Sequence, residues 1–363
     1  MKTSLSDFRA QVEVDTCADD YPLAAEISSK IPIYKAENVG ESHGAEWARV
    51  LGEGPGVLVI RGAFSNLSAI DDATNVFHAI IAEERLHGTA GDHFAAAGSN
   101  DRIWNSLQKL CLRAPDVYVR YMSNPIVDLI CRSWLGPGYQ MATQVNQVRP
   151  GGKAQSAHRD FHLGFMSATQ MRQYPEHVHA FGPRLVLQGG VAHCDMSVES
   201  GTTKLLPHSQ RYLPGYIAAT QAEFREYFEA NCVQLPMNKG DAIFFSPALF
   251  HAAGENRTEN VVRLVNLLQV VSPFAKHMET LDRAAMCGAV FPYLATLSIP
   301  EREAVIAATA DGYSFPTNLD SDPPIGGLAP PSQQDLLRQS VLEEWSDDQL
   351  DAVLRNQAGK RVA

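Results

Sequence analysis

Basic residues are in deficit in this sequence. Its 363 residues contain 30 lysines and arginines against 41 aspartates and glutamates, which gives a formal net charge of −11. Nucleic acids and anionic membranes bind through clustered positive charge, so this balance argues against either as the main partner. No apolar run reaches the length of a membrane-spanning helix. We therefore expect no nucleic-acid partner and no membrane partner.

Cysteine is also sparse, and its spacing disfavours two kinds of site. The six cysteines stand at positions 17, 111, 131, 194, 232 and 287, and no two form a Cys-x-x-Cys pair. Such scattered cysteines are typical of reduced thiols, not of a disulfide framework or a thiolate metal centre. The opening stretch MKTSLSDFRAQVEVD lacks the apolar segment of a signal peptide. Both features favour a cytoplasmic protein.

The first 135 residues carry a mainly helical pattern. One amphipathic helix is predicted to end near Gly52, and a second is predicted over 66–87, with the short buried strand VLVIRGAF between them. Residues 88–101 are rich in glycine and alanine and are predicted to form a loop. Residues 102–135 are predicted to be mostly helical.

From about residue 138 the pattern becomes one of short strands. Strands are predicted within 139–151, 184–196, 198–210, 240–256 and 261–271, with a helical insertion at 216–231. Many short strands with helices mainly before them favour a mostly β fold with helical decoration, a jelly-roll or barrel. A doubly wound α/β fold is less favoured, because strands and helices do not alternate regularly and no Gly-x-Gly-x-x-Gly follows a strand.

The stretch AQSAHRDFH carries three side chains of metal-binding type. In an extended segment, His158 and Asp160 point to the same face and can hold two positions of a metal. A third ligand must come from another strand, and His251 is the best candidate because it follows the apolar run GDAIFFSPALF. Two histidines and one carboxylate form the facial triad of non-haem iron(II) oxygenases. His162 is predicted to line the pocket instead, since four extended residues span about 13 Å.

Arg263 extends this constellation from within the strand VVRLVNLLQVV. A buried arginine is unfavourable unless it meets an anion. A dicarboxylate that chelates iron through its keto-acid end would offer its far carboxylate to such a guanidinium, which grips carboxylates in a bidentate fork. Taken singly, His-x-Asp pairs arise by chance, a lone histidine is by default a core residue, and an arginine often pairs with a surface acid. Their order on strand-like segments favours the metal site.

Four ordered blocks resemble the phytanoyl-CoA dioxygenase family of Fe(II)/2-oxoglutarate-dependent oxygenases. The blocks are GPGVLVIRGAF, AHRDFH, ESGTTKLLPHSQR and GDAIFFSPALFHAAGENRTENVVRLVNLL. The resemblance implies a double-stranded β-helix core (jelly-roll, cupin-like) with N-terminal helices over 46–275. Residues 1–45 are then an N-terminal extension, and residues 276–363 form a C-terminal helical extension that packs on the same domain.

The same resemblance implies roles for single residues. His158, Asp160 and His251 would bind Fe(II), and Arg263 would bind the distal carboxylate of 2-oxoglutarate, with O2 as the other co-substrate. Related halogenases replace the carboxylate ligand by alanine or glycine, so the presence of Asp160 favours hydroxylation or another oxidation.

Further positions follow from the motifs with less support from the residues themselves. Gln155 and Thr203 match positions that contact the co-substrate in members acting on natural products. Ala253 departs from the pattern, because a serine that touches 2-oxoglutarate is frequent there. Phe161 and Phe165 are expected to shape the substrate pocket, although ordinary core packing explains both equally well.

The sequence thus predicts a dioxygenase that oxidises, most simply by hydroxylation, a C–H bond of a small-molecule metabolite or natural-product intermediate, with succinate and CO2 as co-products. Two alternatives stay open on the residues alone: a cupin-like metal hydrolase or isomerase that does not use 2-oxoglutarate, and a non-catalytic binding protein. The terminal extensions also leave assembly into a homodimer open.

Overall fold

The computed structural model of the chain describes residues 1–87 and 100–362. Within them the helices are α1 (Leu5–Val12), α2 (His43–Gly52), α3 (Leu67–Leu86), α4 (Ser106–Arg113), α5 (Pro115–Met122), α6 (Pro125–Leu135), α7 (Ala168–Met171), α8 (Glu176–Phe181), α9 (Gly215–Ala218), α10 (Ala222–Asn231), α11 (Arg283–Leu294), α12 (Ile299–Thr309), α13 (Gln333–Leu342) and α14 (Asp347–Gly359). The strands are β1 (Glu26–Ser28), β2 (Ile31–Lys35), β3 (Val57–Arg61), β4 (Asn100–Ile103), β5 (Gln140–Val148), β6 (Val186–Ala192), β7 (Lys204–Leu206), β8 (Ala242–Phe245), β9 (Phe250–Ala252) and β10 (Arg263–Val271).

Two sheets form the core of the described chain. The large sheet has the strand order β1-β2-β3-β8-β6-β10-β5-β4, and all its pairs are antiparallel except β2 with β3. The small sheet pairs β7 with β9, and single bridges add His158 beside His251 and Val233 beside Leu205. Residues of both sheets line one internal cavity. This is the predicted jelly-roll, with helices packed outside it.

Strand β10 shows how the sequence sets the two faces of the large sheet. Its side chains alternate, because successive residues of a strand point to opposite faces. The cavity face carries Arg263, Val265, Leu267 and Gln269. The other face carries Leu264, Leu268 and Val270, which join the main hydrophobic core. Both faces are therefore covered, and the polar residues of this strand all belong to the cavity side or to buried hydrogen bonds.

The outer face of the large sheet packs against a thick layer of helices. Helices α2 to α6 and α11 to α14 contribute to one core cluster, to which the four C-terminal helices give Met286, Val305, Leu337 and Leu354. Proline begins both α5 and α6, where its missing N–H is not needed. None of the helices in residues 1–87 and 100–362 has the length and apolar character to cross a membrane.

Three strands arise where the sequence did not predict them. Strands β1 and β2 come from the segment 1–45 and extend the large sheet beyond β3. The loop predicted at 88–101 is corrected at its end, because residues 100–103 form β4 against β5. Its remaining residues, 88–99, lie outside the described part of the chain.

Candidate active site

The three predicted metal ligands lie together where the 158–160 segment meets β9. The backbones of His158 and His251 exchange hydrogen bonds of 3.0 and 3.1 Å, which sets their rings side by side. The Nε2 atoms of His158 and His251 lie 3.6 and 3.4 Å from the two Asp160 carboxylate oxygens. The candidate ligand atoms all lie within 4.8 Å of one another. One ion with ligand distances of roughly 2.0–2.2 Å can reach all three.

The hydrogen bonds of the two imidazoles define which nitrogen faces the shared space. Nδ1 of His158 lies 2.8 Å from the carbonyl oxygen of Ser156, and Nδ1 of His251 lies 2.9 Å from that of Leu249. Each Nδ1–H therefore donates to a carbonyl two residues earlier, which leaves the Nε2 lone pair for a metal. Two neutral imidazoles and one carboxylate suit iron(II), so the residues present fit this ion.

Asp160 is oriented by a residue that the sequence analysis missed. The side-chain amide of Gln188, on β6, donates to Oδ2 of Asp160 at 2.6 Å. Burial opposes ionisation of Asp160, but the adjacent His251 and His158 and the hydrogen bond from Gln188 hold the pKa of its carboxyl well below the usual value. Burial, together with His251, lowers the pKa of His158. The carboxylate and the neutral imidazole are the forms that bind a metal.

Arg263 faces the same cavity and forms no ion pair within the described residues. Its side chain is 5% exposed, and its Nε atom has no hydrogen-bond partner in the described residues. No carboxylate of residues 1–87 and 100–362 forms an ion pair with it. Burial lowers the pKa of this guanidinium to about 10. A buried guanidinium in this condition calls for an anionic ligand.

Gln155 and Thr203 also line the cavity. The backbone N–H of Ala253 donates to the side-chain oxygen of Gln155 at 3.2 Å, and the N–H of Gln155 donates to the carbonyl of Ala253 at 3.0 Å. The position where the family often has a serine is therefore tied to Gln155 here. The amide NH2 of Gln155 has no partner among the described residues and is available to a ligand.

The three predicted pocket residues lie in different places. Phe165 lines the cavity, but Phe161 and His162 do not. The extended segment ends at Asp160, because Phe161 and His162 have φ angles of 71° and 29° and turn the chain. Phe161 consequently packs in a small core cluster, and His162 is exposed to solvent.

The cavity has a volume of about 560 Å³ and a wall divided by polarity. Its apolar side includes Met196, Leu205, Leu235, Met237, Ile243 and Phe245. On the other side, Arg102 on β4 donates to Gln144 on β5 at 3.0 Å and stacks over Trp104. The sequence did not point to Arg102, because residues from 102 onward were predicted to be mostly helical and β4 was not predicted.

The fold and the site together define a class of protein, the jelly-roll enzymes with a metal centre of two histidines and one carboxylate. Residues 52–265 match the family described as phytanoyl-CoA dioxygenase (PhyH). This match spans more than half of the chain, and the chain belongs to that family. This is the family of Fe(II)/2-oxoglutarate-dependent dioxygenases that the sequence predicted.

Curated relatives agree with this assignment. The dioxygenase trt7 of Aspergillus terreus is 30% identical over 166 residues, which are 45% of this chain and 52% of the relative. The multifunctional dioxygenase ausE of Emericella nidulans is 29% identical over 168 residues, 44% of this chain and 52% of the relative. The chain thus spans about half the length of the curated relatives it matches.

Solved structures share less with this chain. The α-ketoglutarate-dependent epimerase SnoN from nogalamycin biosynthesis has a TM-score of 0.45 at 17% identity, over 62% of this chain and 82% of its own. HygX from Streptomyces hygroscopicus, solved with nickel and 2-oxoglutarate, has a TM-score of 0.41 at 14% identity, over 65% and 90%. Likenesses this weak add nothing to the family assignment.

Proposed function

We propose that this chain hydroxylates a C–H bond of a small, largely apolar metabolite or natural-product intermediate, with His158, Asp160 and His251 as the ligands of Fe(II). One observation carries the proposal: three ligand atoms and Arg263, which has no ion-pair partner in the described part of the chain, converge on a single cavity. When bound, Fe(II) with 2-oxoglutarate supplies the oxidising chemistry and leaves succinate and CO2 as co-products. The protein binds and orients the substrate and the co-substrate, and it keeps water out of the cavity.

Arg263 anchors 2-oxoglutarate in this proposal. Its guanidinium donates two parallel hydrogen bonds to the distal carboxylate, which fixes both the position and the direction of the co-substrate. Thr203 and the free amide of Gln155 are further donors on the same wall. These contacts orient the keto-acid end toward the three ligands.

The cavity supports a compact apolar substrate. Its apolar wall can bury a hydrocarbon body, while Arg102, Gln144 and Asn146 offer hydrogen bonds to oxygen substituents at its edge. Asp160 takes the third ligand position, which a halide would need, so hydroxylation is favoured over halogenation. The acidic charge of the chain is consistent with a small-molecule partner.

Spectroscopy under anaerobic conditions tests the metal and co-substrate assignment. The protein should develop a visible charge-transfer band only when Fe(II) and 2-oxoglutarate are both present. His158→Ala should abolish the band. The matched control is His162→Ala, four residues away, exposed and outside the cavity, which should retain it. An intact band in His158→Ala would refute the ligand assignment.

A succinate assay tests the reaction. Candidate apolar metabolites should stimulate succinate formation above the rate without substrate, and mass spectrometry should find a product heavier by one oxygen atom. An oxidation product of a different mass, such as a desaturated compound, would refute hydroxylation as the reaction but would agree with an oxygenase.

A further inference from the structure

Arg159 stands between the two ligands of the His-x-Asp segment and points away from the cavity. Its side chain is 3% exposed, and it does not belong to the cavity wall. Within residues 1–87 and 100–362 no carboxylate forms an ion pair with it, and its Nε atom has no partner. Burial lowers the pKa of its guanidinium to about 10. Burying an arginine in this way costs free energy unless other contacts of its guanidinium compensate.

The guanidinium of Arg159 is held by carbonyl groups and aromatic rings. Its Nη2 atom donates to the backbone carbonyls of Ser209 and Tyr212, the latter at 3.0 Å. Its central carbon lies 5.3 Å from the ring centroid of Tyr216 and 5.1 Å from that of Phe250. Both distances are within the range of cation–π attraction.

These partners belong to both halves of the metal site. The hydroxyl of Tyr216 donates to the backbone carbonyl of Asp160 at 3.0 Å. Phe250 immediately precedes His251, and its N–H donates to the hydroxyl of Ser209 at 2.8 Å. The Arg159 side chain therefore connects the 158–160 segment, which carries two ligands, with β9, which carries the third.

Two glycines give this arrangement the space it needs. A Cβ atom at Gly215 would overlap the guanidinium of Arg159, and a Cβ atom at Gly164 would overlap its carbonyl oxygen. Neither glycine has a positive φ angle, so the requirement at both positions is room and not backbone freedom. The packing around Arg159 is thus close on several sides.

We propose that Arg159 is a positioning residue, which sets the separation of His158 and Asp160 from His251 and thereby the affinity and geometry of the metal site. This inference rests on the proposed function, because it takes the three residues as metal ligands. Arg159 itself touches neither metal nor co-substrate. Residues that orient ligands from behind typically change metal affinity by roughly 10- to 100-fold.

Titration with Co(II), followed by its visible absorption, tests the inference in the full-length protein. Arg159→Met should raise the dissociation constant about 10- to 100-fold and change the shape of the spectrum. Arg159→Lys, which keeps the charge but loses the planar fork, should fall between Arg159→Met and the wild type. The matched control is Arg283→Met. Arg283 is also buried and donates to carbonyls, those of Thr309 in α12 and Met141 in β5, but it does not line the cavity.

Arg283→Met should lower the melting temperature and leave Co(II) affinity unchanged. Gly215→Ala keeps Arg159 but displaces its guanidinium, so it should also weaken Co(II) binding, and it decides the case if Arg159→Met does not fold. Wild-type affinity in both site variants, or an equal loss in Arg283→Met, would overturn the positioning role. A wild-type protein that does not bind Co(II) would instead overturn the proposed metal site, and this inference with it.

Discussion

At the scale of single residues, Arg263 is a buried cation that an anionic ligand would stabilise. It is buried, positively charged and unpaired in the described residues. Binding of an anion would therefore offset the free-energy cost of burying its charge. Its neighbours on the cavity wall are polar but uncharged or apolar, apart from Arg102 and the three proposed metal ligands. Because Arg263 forms no ion pair with these residues, its substitution should affect ligand binding more than folding.

Arg263→Met should weaken 2-oxoglutarate binding without weakening the fold. Loss of charged hydrogen bonds worth about 1.5–3 kcal/mol each should raise the dissociation constant for 2-oxoglutarate at least 10-fold. The melting temperature should stay level or rise, because an unpaired buried cation is removed. Anaerobic titration of the charge-transfer band measures the affinity. Arg257→Met, at an exposed arginine outside the cavity, is the control and should change neither quantity.

Gln188 permits a second test at this scale. Its amide holds one oxygen of Asp160, so Gln188→Leu should leave the carboxylate free to rotate and should weaken Fe(II) binding about 10-fold. Gln144→Leu removes an amide from the same cavity, but one bonded to Arg102, and should bind Fe(II) normally. Equal Fe(II) affinities in the two variants, measured by anaerobic titration, would contradict an orienting role for Gln188.

At the scale of elements, strand β2 supports the wall of the cavity although it lies far from it in sequence. Ile31 and Ile33 are buried and join a cluster with Met196, Leu235 and Ile243, which line the cavity. The segment 1–45 thus contributes to the barrel itself. Substitutions in β2 should therefore also destabilise the cavity wall.

Ile33→Ala should destabilise the protein by about 2–5 kcal/mol, because it leaves a void in this cluster. Urea unfolding measures the loss. Ile27→Ala in the neighbouring edge strand β1 is the control, since Ile27 is only partly buried and should cost clearly less. Similar losses from the two substitutions would show that β2 does not support the barrel.

The elements also show which parts of the fold the sequence could predict. Strands β5 to β10 carry a period of two or an apolar run, and they were predicted near their observed positions. Strand β4 was missed because its polar residues follow a glycine- and alanine-rich stretch, and its pairing with β5 is a tertiary contact. Strand β2 was missed because it is short, contains Pro32 and pairs with β3, whose partner residues lie 26 positions away.

The candidate site divides in the same way. The order of His158, Asp160 and His251 along strand-like segments was enough to bring them together in the prediction, because a sheet aligns such segments. The positions of Phe161 and His162 outside the cavity lining could not be predicted, because their positive φ angles occur at residues other than glycine. The role of Gln188 could not be predicted from the sequence, because it depends on which face of β6 is turned toward Asp160.

At the scale of the whole molecule, the large sheet separates a cavity side from a helical side. His193 lies at the junction of β6 with the helical side, with Nδ1 at 2.7 Å from the Thr74 hydroxyl of α3 and Nε2 at 2.8 Å from the Tyr121 hydroxyl of α5. Burial lowers the pKa of His193 to about 3. The folded protein therefore holds this imidazole neutral where the unfolded chain, with a pKa of about 6.5, would protonate it.

The sign of the resulting pH dependence follows directly. Below about pH 6.5 the unfolded chain binds one more proton than the folded protein at this site, so the stability present above pH 6.5 is lost as the pH falls toward 3. At pH 5.5 the loss from His193 should reach about 1.4 kcal/mol. His193→Gln should remove that part of the difference between urea unfolding free energies at pH 7.5 and 5.5. His162→Gln, at an exposed histidine, should leave the difference unchanged, and a His193→Gln protein with the full wild-type pH dependence would show that the junction does not hold a neutral imidazole.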